Sequence, residues 1–339
     1  MSNWYLQNGK DSDVVISTRV RLARNINGFN FENKCSENEK RKILAKIQEI
    51  QPKVGYGLKL LKLKDMDELT KQALVEKHLI SPEFANNNED DSKAILINDE
   101  ENICIMINEE DHLRMQLFGE GIAIEELMNL AIEIDQKLER LVDYAFSEKY
   151  GYLTACPTNV GTGLRVSVMV HLPGLAETGN LNKILHIVNN FGMSVRGVYG
   201  EGSQSMGNMY QISNNQTLGL TEQEIVKNMK LITDKIIEQE RVARKYLGKN
   251  QIGLADKVYR AFGILENARI LSSNECIDLL SDVKLGTDMG IISELDDTKI
   301  KKLFLYTKPA NLQKYYGKVM DSNERDLKRT EIIRKIVTE

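Results

Sequence analysis

Hydrophobic and polar positions alternate with two different periods along this chain, and the change of period marks its elements. From 13 to 30 the sequence DVVISTRVRLARNINGFN sets Ile16, Thr18, Val20 and Leu22 against Ser17, Arg19 and Arg21. A period of two predicts a strand with both arginines on one face and an apolar face behind them. An edge strand kept soluble by its charges would read the same way. Arg24 falls outside the alternation and takes no role from it. A helical period follows over 36–51, with Ser36 and Glu39 spaced as a capping box and Pro52 as its end. A short strand over 56–63 and a helix over 67–79 come next, with His78 near that helix's C-terminus, where a lone histidine is ordinarily a partner of the helix dipole. AILIN at 94–98 and ICIMIN at 103–108, joined by the polar DEEN, predict a hairpin. Apolar positions at helical spacing then predict one long helix over 122–150.

LTACPTNVGTGLRVSVMVHL at 153–172 predicts a turn of small residues around Cys156, running into a strand headed by Arg165. Gly161 and Gly163 there would let the backbone approach a ligand closely, and a tight structural turn is the alternative. A helix over 176–191 is closed by Gly192, and MSVRGVYGEGSQSMGNMYQISN predicts strand, polar glycine-rich turn, strand, the turn being a mobile tip or a lid. A helix over 221–247 carries a second capping box, Thr221 with Glu224. The pattern shifts at 248–253. Beyond 254 it is helical throughout, so the expected organisation is a mixed α+β domain at 1–247, a linker at 248–253 and an all-helical domain at 254–339. A chain of 339 residues exceeds one ordinary core, which agrees with two domains.

Composition narrows the function classes. A net charge of -4 disfavours nucleic acid as a partner, so any bound anion must be met by a local cluster of arginines. Four cysteines without metal-ligand spacing read as reduced thiols, and with neither an apolar leader nor a run near the ~18 residues that span a bilayer, the expectation is a cytoplasmic protein with no membrane partner.

Four segments carry arginine in strand-and-loop contexts: STRVRLARN, NEEDHLR, GTGLR and RGVYGE. If they converge, Arg19, Arg21, Arg114, Arg165 and Arg196 supply five fixed positive charges, a match for a nucleoside triphosphate with Mg²⁺. No GxxxxGK[ST] loop is present, so guanidiniums would do the work of a P-loop. The carboxylates Glu110 and Glu201 beside the same cluster suit a cationic acceptor. Two carboxylates can grip a planar guanidinium at two edges, and one must remove its proton as the N–P bond forms. The dense charge at 109–114 could instead be a structural salt-bridge cluster. Cys156 could be a thiolate that orients the acceptor or a small buried side chain.

In their order and spacing, STRVRLARN, NEEDHLR, CPTNVGTGLR and RGVYGE followed by QISN resemble the signature segments of the phosphagen (guanidino) kinases. That resemblance implies an antiparallel sheet flanked by helices. It implies nucleotide contacts at Ser17, Thr18, Arg19, Val20 and Arg21, at His78 beside the base or ribose, at Arg114, at Arg165, Val166, Ser167, Val168 and Met169, and at Arg196, Gly197, Val198, Tyr199 and Gly200. Glu110 and Glu201 become clamp and base, Glu109 orders Mg²⁺ through water, and no protein side chain ligates the metal directly. Only 16 residues precede Ser17, where small-substrate members carry a helical domain, and a helical region follows instead. This arrangement is similar to the bacterial protein-arginine kinases of the McsB type. It implies protein substrates with exposed arginines, marked for the ClpC–ClpP protease, an McsA-like activator and a homodimer. RDLKRT near the C-terminus is similar to that branch's RDxxRA phosphoarginine sensor. On a helix Arg325 and Arg329 would share a face to fork a phosphate while Asp326 meets the guanidinium, and Thr330 stands in place of the branch's alanine. A small-guanidino kinase and a non-catalytic phosphoarginine-binding adaptor are the competing expectations.

Overall fold

The computed structural model describes residues 4–7, 9–86, 90–197 and 206–339. In chain order its elements are β1 (Val15–Arg24), α1 (Glu37–Val54), β2 (Lys59–Lys62), α2 (Glu68–Glu76), α3 (Pro82–Ala85), β3 (Ala94–Ile97), β4 (Ile103–Ile107) and β5 (Leu113–Glu120). Then follow α4 (Ile124–Glu139), β6 (Phe146–Ser147), β7 (Gly151–Tyr152), β8 (Leu164–His171), α5 (Pro173–Glu177), α6 (Leu181–Asn190), β9 (Met193–Gly197), β10 (Met209–Asn214) and α7 (Glu222–Leu247). The remainder is helical: α8 (Gln251–Asn267), α9 (Ser273–Asp288), α10 (Asp297–Tyr306), α11 (Pro309–Tyr316) and α12 (Ser322–Thr338).

Eight strands form one antiparallel sheet in the order β2-β3-β4-β5-β1-β8-β10-β9, so β1 and β8 lie near its centre. The alternation along β1 is realised: Val20 and Leu22 are buried on one face with Val166 and Val168 of β8 and Leu117 of β5. That face packs against α1, α4 and α7 through residues such as Ile47, Ile134 and Met229. A second apolar cluster lies against the other face around Leu79, Phe84, Ile95 and Met106, leaving the middle of that face polar. A third, built on Val258, Leu280, Leu303 and Ile333, is the core of the helical region. The antiparallel sheet flanked by helices and the helical C-terminal region are thus as the sequence predicts.

Both capping boxes form, Ser36 with Glu39 and Thr221 with Glu224. Pro52 does not end α1, which runs on to Val54 and stops at Gly55 (φ +85°). A proline in a last turn removes a single hydrogen bond, and burial of Val54 holds that turn. The single long helix over 122–150 is not found. It ends at Arg140 because the next residues are taken up by an extension of β1: the Ala145 N–H donates to Asn25, and Ile26 bridges Tyr144. The helix expected over 176–191 is two helices, broken at Gly179 (φ +70°). β5, an unexpected strand although Leu113, Met115 and Leu117 alternate with Arg114 and Gln116, pairs with β1 from Ser17 to Arg24.

Three residues, Gly248 to Asn250, separate α7 from α8, so a helix already occupies the second half of 248–253. The helical region is docked rather than tethered. Arg244 of α7 bonds Glu240 and Asp288, Glu76 of α2 accepts from the N–H groups of Ala310 and Asn311, and Lys301 pairs with Glu120 of β5. No described helix is long and apolar enough to cross a membrane.

Candidate active site

Residues directly opposite one another in an antiparallel pair share a face. Arg21 lies opposite Arg165 on β8 and Gln116 on β5, Arg19 opposite Ser167 and Phe118, and Ala23 opposite Arg114. On β10 and β9, Ser213 faces Ser167 and Ser194, while Gln211 faces Met169 and Arg196. All five arginines therefore lie on the polar face, drawn from four strands of one sheet. The sheet makes this cluster rigid. Arg19 donates to Ser167 Oγ (3.4 Å) and Gln211 Oε1 (3.2 Å), and Arg165 donates to Ser213 Oγ (3.0 Å) and Ser194 Oγ (3.3 Å).

Such a collection of like charges is uncomfortable. Burial, then the charges of Arg114 and Arg165, pull the Arg19 guanidinium down to about 9. Burial and the same neighbours, with Arg19, pull Arg21 well below its ordinary value. Among the described residues Arg21 Nε has no hydrogen-bond partner. A buried guanidinium nitrogen left without a partner, among like charges, costs free energy that a bound polyanion would return, so these residues fit a nucleotide's phosphates. His78 follows α2 in a left-handed conformation (φ +61°) and lines one cleft with Ser17, Arg19, Ser167, Met169 and Gln211. Burial, with Lys308 and Arg19 nearby, holds its imidazole down at about 3, so it is neutral at neutral pH.

The same alternation corrects part of the expected contact set. Thr18, Val20, Val166 and Val168 are fully buried on the opposite face, so their side chains reach the core and not a nucleotide. Thr18 instead donates to the Gly121 carbonyl and accepts from the Ala123 N–H, fixing the start of α4. Gly197 ends β9, while Val198, Tyr199, Gly200 and Glu201 lie outside the described residues.

The acidic turn divides its labour. Glu109 pairs with Arg114 at 2.6 Å and accepts from Ser81 at 2.7 Å. Burial opposes its charge, but Arg114, the Glu110 N–H and Ser81 together hold it below the usual carboxylate range. Glu110 keeps 39% side-chain exposure and lies 3.7 Å from Arg114, so its carboxylate faces the rim of the cationic patch. The structural salt bridge and the accessible carboxylate are both present, in adjacent residues.

Asp111 escaped the sequence reading. Fully buried, it accepts from Asn25 Nδ2 and from the Ala155 N–H, each at 2.7 Å, and so ties the loop carrying Cys156 to the turn carrying Glu110. His112 locks the same junction. Its Nδ1 accepts from the Ile26 N–H, which leaves the proton on Nε2 to donate to the Asn30 carbonyl. The signal was the run of four polar residues at a strand start, which only the β1–β5 pairing explains. Cys156 is half-buried, its Sγ 3.0 Å from Thr158 Oγ1.

Arg24 also finds its place. It forms a buried ion pair with Asp135 (2.6 Å), stacks 3.5 Å from the Tyr152 ring centre and donates to the Thr162 carbonyl. Gly163 is needed there because a Cβ would meet Arg24 Nη1 at 2.6 Å, and a Cβ on Gly161 would meet the Thr217 carbonyl at 2.3 Å. Both glycines admit protein backbone and side chain rather than a ligand.

RDLKRT lies on α12, away from this face. Arg329 is 1% exposed and donates to the Thr307 and Leu271 carbonyls and to Asp326, so three of its five N–H groups are engaged inside the helical core. Arg325 donates to the Met320 carbonyl. An open fork of two arginines is therefore not what this segment presents, because helix packing has turned Arg329 inward.

Residues 38–243 match the ATP:guanido phosphotransferase C-terminal catalytic domain, and residues 251–339 match the protein-arginine kinase McsB C-terminal domain. The chain is similar to the protein-arginine kinase of Halothermothrix orenii (48% identical over 98% of this chain and 96% of that one) and to that of Bacillus pumilus (45%, over 98% and 93%). Its fold is similar to a crystal structure of lombricine kinase (27% identical, TM-score 0.60, 68% of this chain and 67% of that one). It is also similar to the duplicated taurocyamine kinase of Schistosoma mansoni with bound transition-state-analogue components (28%, TM-score 0.63, 76% of this chain and 39% of that one). An arginine-lined sheet face in a chain that matches these relatives along nearly its whole length leaves one assignment: the chain belongs to the ATP:guanido phosphotransferase family, in the branch of the protein-arginine kinases.

Proposed function

We propose that the cationic face and the Glu110 turn together carry out protein-arginine phosphorylation, the γ-phosphoryl of ATP passing to the guanidinium of an arginine side chain in a protein. The chain is a protein-arginine kinase, and the question is how its residues divide that reaction. Arg19, Arg21, Arg114, Arg165 and Arg196 hold the polyphosphate and neutralise charge as the phosphoryl group moves. Ser17, Ser167, Met169 and the neutral His78 lie beside the base and ribose. Glu109 would order the water shell of a Mg²⁺ ion brought in with the phosphates, and that ion would supply further charge neutralisation there. Glu110 pins the incoming guanidinium and takes its proton, Glu201 acts as the second clamp, and Cys156 borders the same acceptor. The observation that carries this reading is the unpartnered Arg21 Nε, buried among other guanidiniums opposite Arg165, a few residues of sheet from an accessible carboxylate.

The proposal extends to the larger scale: 1–247 as the catalytic unit, 254–339 as the regulatory one, an McsA-like activator and ClpC–ClpP downstream, a homodimer, and a cytoplasmic site of action. A phosphoarginine response through Arg325, Asp326 and Arg329 requires the Asp326–Arg329 pair to open. Asp326→Asn, which removes that pair's charge without emptying the helical core, should change any stimulation by phosphoarginine, and an unchanged response would remove the segment from regulation.

The test of the reaction is incubation with Mg-ATP and either free arginine or an unfolded arginine-rich protein. Acid-labile phosphate on the protein is the expected result. Label on free arginine alone would point to a small-guanidino kinase, and label on neither to a binding adaptor.

A further inference from the structure

Beyond the arginines, the nucleotide cleft opens into a second cavity whose far wall is not part of the sheet. The two share Trp4, Ser17, Lys77, His78 and Met169 and so adjoin along these side chains. Met169 and Met209 line the second cavity from the sheet, and Ile277 of α9 and Phe304 of α10 line it from the helical region. Trp4 lies flat on Phe118 (ring centres 5.3 Å apart, planes at 23°), and its Nε1 is buried without a hydrogen-bond partner among the described residues. Two thioethers, an indole and a phenyl ring make walls suited to a flat heteroaromatic ring, with the indole N–H as a donor for a ring nitrogen.

We propose that the helical C-terminal region completes the nucleotide site: the purine ring of ATP enters this cavity and is walled on one side by Ile277 and Phe304, while its phosphates rest on the arginines. The inference rests on the reading of the cationic face as the phosphate site. It follows from the position of His78, Ser17 and Met169, which belong to both cavities and so mark the passage from phosphates to base. The docking contacts hold the wall in place, since α9 reaches the segment before β10 through Asp278, which accepts from the Gly207 N–H at 2.9 Å. Nucleotide binding and the posture of the helical region are thereby linked. Whatever shifts α9 and α10 changes affinity for the base, and whatever fills the cavity steadies those helices.

Trp4 is the chain's one tryptophan, so its fluorescence reports the cavity directly. Titrations with ATP and with inorganic tripolyphosphate would be compared in the full chain and in the Phe304→Leu, Ile277→Ala and Arg19→Ala variants, each checked for native circular dichroism. In the unaltered protein ATP should change Trp4 emission and tripolyphosphate should not. Phe304→Leu and Ile277→Ala should each weaken ATP about fivefold to tenfold, the worth of one aromatic or apolar wall, and leave tripolyphosphate affinity, read by calorimetry, within twofold. Arg19→Ala should weaken both ligands. If both wall variants bind ATP as the unaltered protein does, or lose ATP and tripolyphosphate equally, the helical region does not wall the base. If Arg19→Ala binds both ligands normally, the phosphate-site reading fails instead.

Discussion

A buried guanidinium nitrogen with no hydrogen-bond partner among the described residues, Arg21 Nε, is the clearest signature at the residue scale. Arg19 and Arg21 lie among three other arginines, and among the described residues Arg19 donates to a hydroxyl and an amide oxygen, Ser167 Oγ and Gln211 Oε1. Beside them the paired Glu109 and the accessible Glu110 differ by one position in the sequence and wholly in environment. Glu110→Ala should lower turnover by ~10² or more while leaving the ATP dissociation constant nearly unchanged, as separate kinetic and calorimetric measurements would show. Unaltered turnover would take Glu110 out of the reaction. Glu120 offers a stability test. Burial, only partly offset by Lys301, raises its carboxyl to about 8, so between its ordinary 4.5 and about 8 the folded chain keeps a proton that the unfolded chain releases. Stability from this residue is therefore lost as pH rises through that window. Melting temperatures of Glu120→Gln measured from pH 5 to 8 should show a flatter dependence than those of the unaltered chain. Arg19 and Arg21 on one face were legible from alternation alone, whereas the convergence of Arg114, Arg165 and Arg196 on that face could only be supposed from the segments that carry them. The core positions of Thr18 and Val20 were legible in the same alternation, and it was the family resemblance that named them, with Val166 and Val168, as nucleotide contacts, because a run of motif letters ignores the period that sends every second residue to the core.

Elements position these residues through a few buried polar links. Asp111 is the most economical of them, joining β1's end, the Glu110 turn and the Cys156 loop through one carboxylate oxygen. Asp111→Ala would leave the Asn25 amide with the Leu153 carbonyl alone and strand the Ala155 N–H, at about 1–3 kcal/mol for each buried donor left unmade. We expect a lower melting temperature and a fall in kcat larger than the rise in KM for ATP, with Asp111→Asn recovering most of the stability because it keeps the accepting oxygen. Equal kcat and KM changes in Asp111→Ala would mean that the link only stabilises. Local signals predicted helix starts well, since both capping boxes are set within four residues. They failed where a distant partner decides. α4 stops at Arg140 because residues after it pair with Asn25 and Ile26, more than a hundred positions earlier in the chain. β5 does carry a period of two, Leu113, Met115 and Leu117 against Arg114 and Gln116, but it follows directly on the charged run at 109–112, which hides where the strand begins.

Across the whole molecule, the helical region is fused to the sheet through buried charge. Arg244 holds Glu240 and Asp288 and donates to the carbonyls of Asp13 and His171, so one side chain bridges α7, α9, β8 and the segment before β1. Arg244→Met should cost about 3–5 kcal/mol, because Glu240 would remain buried without its cation. Urea unfolding would register this as a lower midpoint, and an unchanged midpoint would mean that the docking does not depend on this network. The sequence told of a helical region but not of its docking, since the contacts come from single side chains scattered over the chain. RDLKRT shows the same limit: helical spacing puts Arg325 and Arg329 on one side, yet packing against the Thr307 and Leu271 carbonyls decides that Arg329 points inward.

The central claim is that one sheet face holds the triphosphate while Glu110 holds the acceptor. A crystal structure with a non-hydrolysable ATP analogue, Mg²⁺ and an arginine-containing peptide tests it most directly. The account predicts phosphate oxygens within hydrogen-bond distance of Arg19, Arg21 and Arg165, and the peptide guanidinium against the Glu110 carboxylate. Phosphates seated elsewhere, or a guanidinium remote from Glu110, would contradict it.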